Sequence, residues 1–327
     1  MSLNIVTYYK ANEIPELPGT NIFHSKELFL IYEATPTYAP VLIVAYQNEQ
    51  PIAKLFVAIR KRTRFLPPSL IRHCVVFGTG EYMNDETDKE GIFGQLLERL
   101  TKDILRDSYL VEFRNLENSL FGYKYFRINN YFPINWLRVR NSLHGQTYFE
   151  DRFSESRRRQ IKKGLKNGAE IYEAHSFEEI RSFSKMLRIN YSSKVRKHFP
   201  SIEFFEHFYE HAVSNGHGKV FIVKYKEKII GGSVCIFSGS TSYLWFSGGM
   251  KKIYKKQHPC VLATWQALDY AYKNGYRHME FLDVGLPFKK HGYRDFVLRF
   301  GGKQSSTRRW YRFSWNFLNN LMMKIYS

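Results

Sequence analysis

Apolar positions along this chain recur with two periods, alternating and helical, and the switches between them lay out its elements. VLIVAYQNEQPIAKLFVAI (Val41–Ile59) is an apolar run that breaks at Gln47–Gln50 and resumes, the pattern of a β-hairpin. VFIVKYKEKIIGGSVCIF (Val220–Phe237) repeats it, with its break at Lys226–Lys228. A third strand follows each hairpin, at Ile71–Phe77 and Thr241–Ser247. Helical spacing comes next in both copies. It runs through Ile92, Phe93, Leu96, Leu97, Leu100 and Ile104 in one, and Val261, Leu262, Trp265, Leu268 and Tyr272 in the other. The strands YLVEFRN (Tyr109–Asn115) and RHMEFLD (Arg277–Asp283) then share Glu-Phe at the same place, and GYKYF (Gly122–Phe126) recurs as GYRDF (Gly292–Phe296). Matched elements in one order mark an internal duplication.

Between the copies, Glu155–Ala174 reads as a strongly basic helix ended by Gly164 or Gly168, then a strand at Ala169–Tyr172. Helices at Phe177–Tyr191 and Ile202–Ser214 open the second copy. Each copy is thus helix, hairpin, strand, helix, strand, with a final strand pair. A hairpin that gains a helix-crossed parallel neighbour is an α+β arrangement, with mixed sheets flanked by helices. Two tandem domains are expected, 1–150 and 151–327. Neither G-x-G-x-x-G nor G-x-x-x-x-G-K-[ST] occurs, which argues against dinucleotide or P-loop chemistry.

Composition narrows the class. The 327 residues are 44% apolar and 17% aromatic, which excludes a disordered chain. MSLNIVTYYK has no basic region followed by an apolar core, so no signal peptide is expected. Cys74, Cys235 and Cys260 lack metal-ligand spacing, and no apolar run approaches the ~18 residues of a membrane span. A cytoplasmic protein is the expectation. Charge is informative only when divided. Residues 1–150 hold 17 Lys+Arg and 16 Asp+Glu, whereas 151–327 hold 32 and 14, so nearly all of the net +19 sits in the second half. That half should meet an anionic partner: RNA, a nucleotide or pyrophosphate group, an acidic carrier, or an anionic membrane surface.

The order of elements resembles the GNAT acyltransferase fold, and two copies in tandem resemble its FemAB-like branch, peptidoglycan-type aminoacyltransferases and related N-acyltransferases. The resemblance is carried by residues 151–303: ESRRRQIKKGLKNGAEI, Gly231-Gly232 in the hairpin, YLWFSGGM (Tyr243–Met250), HPCVLATWQALDYAYKNGYRHMEFLDVG (His258–Gly285) and FVLRFGGK (Phe296–Lys303). It implies two tandem acyl-N-acyltransferase domains without metal or tightly bound cofactor. The cosubstrate would be aminoacyl-tRNA, slightly preferred, or acyl-CoA. Three departures stand out. Many relatives have Phe-Lys-x-x-Phe-Gly where this chain has Phe296-Val297-Leu298-Arg299-Phe300-Gly301, so Arg294 or Arg299 would have to replace the lysine. The stretch before the helix, KKIYKKQHPC (Lys251–Cys260), has no glycine of a pyrophosphate loop. A helical arm inserted in some tRNA-dependent relatives is absent from the second copy.

The resemblance also implies a cleft where the strands Thr241–Ser247 and Arg277–Leu282 splay, leaving backbone N–H groups for an oxyanion. Asp283 would sit at its mouth as proton acceptor, although a turn-capping Asp before Val284–Pro287 explains it more simply. Tyr243 and Trp245 share a face of the other strand and would line an acyl or sugar pocket, against the ordinary role of strand aromatics as core. Glu280 and its repeat-mate Glu112 fit a structural ion pair as well as catalysis. Lys194, Arg196 and Lys197 fall in the part of the chain that borders the acceptor site in this family. Lys255 and Lys256, in a run of four lysines before a helix, suit a phosphate-bearing donor. Arg157, Arg158, Arg159, Lys162 and Lys163 make a cationic helix surface, or simply a solvated linker.

RRWYRFSWNF (Arg308–Phe317) alternates as a final strand, and Trp315–Ile325 has the spacing of an amphipathic helix, docked on the protein or, as the minority reading, on a membrane. None of the 11 histidines falls in H-E-x-x-H or another metal spacing. The leading expectation is an N-acyltransferase placing an aminoacyl or acyl group on an amine, such as that of a nucleotide-linked cell-wall precursor. Its competitors are a transferase using acyl-CoA or an acyl-carrier protein on a small amine, and a non-catalytic RNA- or anion-binding protein on a degenerate scaffold.

Overall fold

Every buried apolar position of the first helical stretch lies on one face, and that face decides where the helix goes. Ile92, Phe93, Leu96, Leu97, Leu100 and Ile104 are all buried against strand residues such as Val41, Leu55, Val57, Val76 and Phe113. The structure is a computed structural model that describes residues 3–61, 72–83, 88–116, 118–145, 147–191 and 199–326. In chain order the first elements are β1 (Asn4–Tyr8), α1 (Lys26–Glu33), β2 (Tyr38–Gln47), β3 (Gln50–Lys61), β4 (Arg72–Phe77), β5 (Glu81–Tyr82), α2 (Lys89–Ile104), β6 (Leu110–Arg114) and α3 (Tyr123–Ile128). Next come β7 (Phe132–Ser142), α4 (Glu155–Lys166), β8 (Glu170–Glu173), α5 (Phe177–Asn190), α6 (Ile202–Phe208), β9 (Gly218–Tyr225), β10 (Lys228–Ser238) and β11 (Thr241–Gly249). The chain continues with α7 (Pro259–Lys273), β12 (His278–Phe281), α8 (Gly292–Leu298), β13 (Lys303–Phe313) and α9 (Asn316–Tyr326).

Two compact units result, and the division is not a single cut at 150. One unit is Met1–Trp136 with Thr307–Ser327; the other is Leu137–Ser306. The first sheet runs β1-β2-β3-β4-β6-β13 and the second β8-β9-β10-β11-β12-β7, the same order position by position. Each sheet therefore takes its last strand from the other half of the chain. β13 pairs antiparallel with β6 through Arg309↔Arg114 to Phe313↔Leu110, and β7 pairs with β12 through Val139↔Phe281 to Ser142↔His278. The parallel pairs are β4·β6 and β11·β12.

The exchanged strands also bring the cations that neutralise the paired glutamates. Glu112 on β6 is buried and receives Arg309 Nη1 at 2.8 Å, Arg114 Nε at 2.9 Å and His73 Nε2 at 3.1 Å. Glu280 on β12 is 1% exposed, faces Arg140 across the ladder, accepts from its Nε at 2.6 Å, and has Arg138 at 3.7 Å. A buried carboxylate must be paired to remain charged, and both are. The ion-pair account of the repeated Glu-Phe therefore describes both units.

Helix starts follow local chemistry. Asp88, Ser154 and Ser176 accept N–H groups of Gly91, Arg157 and Glu179 at the starts of α2, α4 and α5. Gly231 and Gly249 are required by proximity: a Cβ on either would lie 2.9 Å from Pro259 Cβ, so only glycine lets the N-terminus of α7 meet the sheet. In α9, Asn319 is buried and Tyr326 stacks on Phe132, while Phe317 is 85% exposed.

Candidate active site

β11 and β12 pair for four residues only, from Thr241↔His278 to Leu244↔Phe281. β11 then continues to Gly249 with β10 on its other side, and the register of that pair shifts at Trp245. From Trp245 onward the edge of β11 that faced β12 has left its ladder. The first unit differs. There β4 and β6 pair from His73↔Leu110 to Phe77↔Arg114, and Gly78 N–H extends the ladder to the Arg114 carbonyl at 2.8 Å. Beyond Gly78 that strand returns as β5 on β3 without β6, so the ladder of the first unit parts about one pair later than that of the second.

Two tyrosines that sequence reasoning did not single out meet this edge. Tyr191, just after α5, donates its hydroxyl to the Ser247 carbonyl at 2.5 Å. Tyr293, on α8, hydrogen-bonds Ser247 through its side chain. Burial pushes the Tyr191 phenol up to about 12, and it raises that of Tyr293 further, with Tyr191 and Asp283 adding to the effect. Both phenols stay protonated at neutral pH and can donate. The signal was present, since Tyr293 lies in the repeated Gly-Tyr motif, but its mate Tyr123 made it read as structure.

Asp283 follows β12 with φ +62°, exposed, close enough to raise Tyr293 and to act on His291. His291 caps α8, accepting from Arg294 N–H at 3.4 Å, and its pKa is lowered by burial and by Arg294. Tyr243 is buried opposite Glu280 within the paired stretch, before the strands separate. Trp245 belongs to an aromatic cluster with Phe204 at 5.5 Å, Phe208 at 5.8 Å and Phe246 at 5.4 Å, reached from α6.

The cations divide by exposure. Arg294, expected to bind phosphate, is buried, and its guanidinium donates to the carbonyls of Val284, Leu286 and Lys289. These bonds tie it to that turn, and it differs in this from the exposed cations. Val297 is fully buried in the core, so the position of the family's lysine is apolar space here. Arg299, Lys255 and Lys256 are exposed. Lys194, Arg196 and Lys197 lie outside the described residues. Arg157, which sequence reading placed only in a broad cationic face, is buried, with its guanidinium 4.2 Å from the Phe296 ring centre and donating to the Phe296 carbonyl at 3.1 Å. Burial and Arg299 lower its pKa to about 10, leaving it charged, and its Nε has no hydrogen-bond partner. It acts on His258 and Cys260 at the start of α7.

Residues 153–290 match the family described as acetyltransferase (GNAT) domain. A search of the curated proteins returns no match. Among solved structures the fold is similar to FemX, at TM-score 0.65 and 11% identity over 99% of both chains. It is also similar to a tandem GNAT protein from the clavulanic acid biosynthesis pathway, at 0.56 and 11%, over 96% of this chain and 99% of that one. L-PGS from Bacillus licheniformis matches at 0.54 and 11%, over 91% and 92%. These structural likenesses concern the fold. The chain therefore has the tandem GNAT fold, and its match to the acetyltransferase (GNAT) domain family lies in the unit that holds the separated strands.

Proposed function

We propose that the second unit transfers an aminoacyl group from aminoacyl-tRNA to an amine, in the opening where β12 leaves β11. The separation of β11 from β12 after Leu244↔Phe281 carries this reading, because it lies in the unit that matches the GNAT domain family. An activated carbonyl laid along β11 beyond its last pair with β12 would meet main-chain N–H groups that stabilise a tetrahedral oxyanion. The amine attacks the carbonyl carbon, and Asp283 accepts its proton. Collapse breaks the bond to the ribose oxygen, which takes a proton from the phenol of Tyr293 or Tyr191. Asp283 and the two tyrosines are the catalytic residues of this reading, and Tyr243 supports the strand.

The donor preference rests on charge. Residues 137–306 hold 30 Lys+Arg against 15 Asp+Glu, and Lys251, Lys252, Lys255 and Lys256 are all exposed before α7. Arg157, with an unpartnered Nε, and the exposed Arg299 add to this cationic surface. The acceptor to try first is the amine of a nucleotide-linked cell-wall precursor, in the cytoplasm. The family match supports a second reading, with acyl-CoA as donor. Purified protein is incubated with labelled aminoacyl-tRNA or acyl-CoA and a panel of amines. Amide from tRNA, with affinity falling by a log–log slope of about 0.7–0.9 per phosphate contact, supports the proposal. Tight, salt-insensitive CoA binding with amide from acyl-CoA selects the second. No amide from either donor returns the protein to the RNA- or anion-binding class.

A peripheral membrane contact belongs to the same proposal. No described helix is long and apolar enough to cross a bilayer. α9 nonetheless exposes Phe317, Leu321 and Ile325, spaced i, i+4 and i+8, and residues 296–327 carry six Lys/Arg and no acid. An apolar stripe within a cationic stretch suits an anionic bilayer surface. Flotation with phosphatidylglycerol vesicles but not phosphatidylcholine vesicles, lost in Phe317→Ser/Ile325→Ser, is the expected result. Equal flotation of the variant removes the contact.

A further inference from the structure

The helix that covers the aromatic side of the second sheet carries a different chemistry on its other face. Phe204, Phe205 and Phe208 of α6 are buried, and they pack on Trp245 and Phe246. His207, Glu210 and His211 project from the same turns and remain partly solvent-exposed. Glu210 Oε2 lies 3.1 Å from His207 Nδ1 and 3.7 Å from His211 Nε2. One ligand atom from each of the three lies within 4.8 Å of the others, and the imidazole planes are 16° apart. At this point the helix passes from α geometry into a π turn, Tyr209–Val213. Such turns recur at functional sites.

We propose that His207, Glu210 and His211 form a binding site for a transition-metal ion of the Zn²⁺ class. Two imidazoles and a carboxylate suit Zn²⁺, Co²⁺ or Ni²⁺, whereas Mg²⁺ and Ca²⁺ want oxygen donors throughout. Histidines four apart on a helix share a face, and the acid three residues after the first falls between them. The order His-x-x-Glu-His is the reverse of H-E-x-x-H and is also a zinc spacing, so the expectation that no histidine falls in a metal spacing does not hold for His207 and His211. Closing the three groups to metal–ligand distances of about 2.0–2.2 Å needs only rotation of side chains that already face solvent. A bound ion would tie the last turn of α6 to the π turn and so hold the aromatic cluster around Trp245 in place.

The test uses the full chain freed of metal by chelation and titrated with ZnCl₂ by calorimetry and with CoCl₂ by visible absorption. One equivalent bound with Kd of about 10 µM or tighter is expected, with an unfolding temperature that rises with Zn²⁺ and not with millimolar Mg²⁺. His207→Ala/His211→Ala should weaken binding at least tenfold and abolish the thermal shift, while its metal-free spectrum and melting temperature match the parent. No binding at 100 µM Zn²⁺ would overturn the site, as would unchanged affinity in the double variant.

Discussion

Tyr191 and Ser247 are joined by a hydroxyl-to-carbonyl hydrogen bond of 2.5 Å on the stretch of β11 beyond its last pairing with β12. A phenol held there by burial at about 12 stays protonated. Tyr191→Phe should lower the transfer rate about tenfold, cost about 1 kcal/mol of stability and leave donor binding unchanged. Single-turnover kinetics and denaturant unfolding read the two effects separately.

Tyr293 and Tyr243 separate chemistry from scaffolding. Tyr293 touches Ser247 beyond the point of separation; Tyr243 lies within the paired stretch. Tyr293→Phe should reduce kcat about 100-fold, in the range of a lost proton donor. Tyr243→Phe should change kcat by less than about threefold. A larger loss in Tyr243→Phe than in Tyr293→Phe would place the reacting atoms elsewhere.

Restoring the family's lysine should harm this protein. Val297 is completely buried with Phe300, Phe281 and Leu244 in the second core. Val297→Lys puts a charge into apolar space and should lower stability by at least about 3 kcal/mol without raising activity. Thermal melting and the amide-forming assay check both parts.

Acid should weaken the first unit in two stages. Burial and Lys54 lower the pKa of His24 from 6.5 to about 3, so below pH 6.5 the unfolded chain takes up a proton that the folded one refuses. Burial would raise Glu112, but Arg114 and Arg309, with His73, outweigh it and hold the carboxyl well below 4.5. The stability Glu112 contributes is therefore complete above 4.5 and lost as pH falls towards its folded value. Unfolding free energy measured against pH should decline below about 6.5 and more steeply below about 4.5, by up to 1.4 kcal/mol per unit for each group. His24→Gln should flatten the upper part of the curve. Glu112→Gln should flatten the lower part and cost about 3–5 kcal/mol at neutral pH.

Much of the fold is legible because burial is periodic. The hairpin read at Val41–Ile59 is β2 and β3, that at Val220–Phe237 is β9 and β10, and the helices read around Leu96 and Leu268 are α2 and α7. Pairing across the duplication is not legible, because an alternating strand such as β13 satisfies either sheet equally and sequence does not say which it joins. Of the candidate site, the parting of β11 from β12 is an expectation of the resemblance, and Asp283 follows directly after β12. The surroundings of Arg294 are not legible, because charge alone does not reveal that three carbonyls accept from it. Tyr191 was invisible because its partner is a main-chain carbonyl, which leaves no residue pattern.

The traded edge strands also set an order of events on the ribosome. β6 waits for β13, which is made nearly 190 residues later, whereas β12 finds β7 already synthesised. The C-terminal sheet can therefore close first, although it begins later. Until the final segment emerges, the N-terminal sheet stands with a bare flank and with Glu112 lacking Arg309. Cutting the gene between its two homologous halves should accordingly produce sticky fragments that recover only when expressed together.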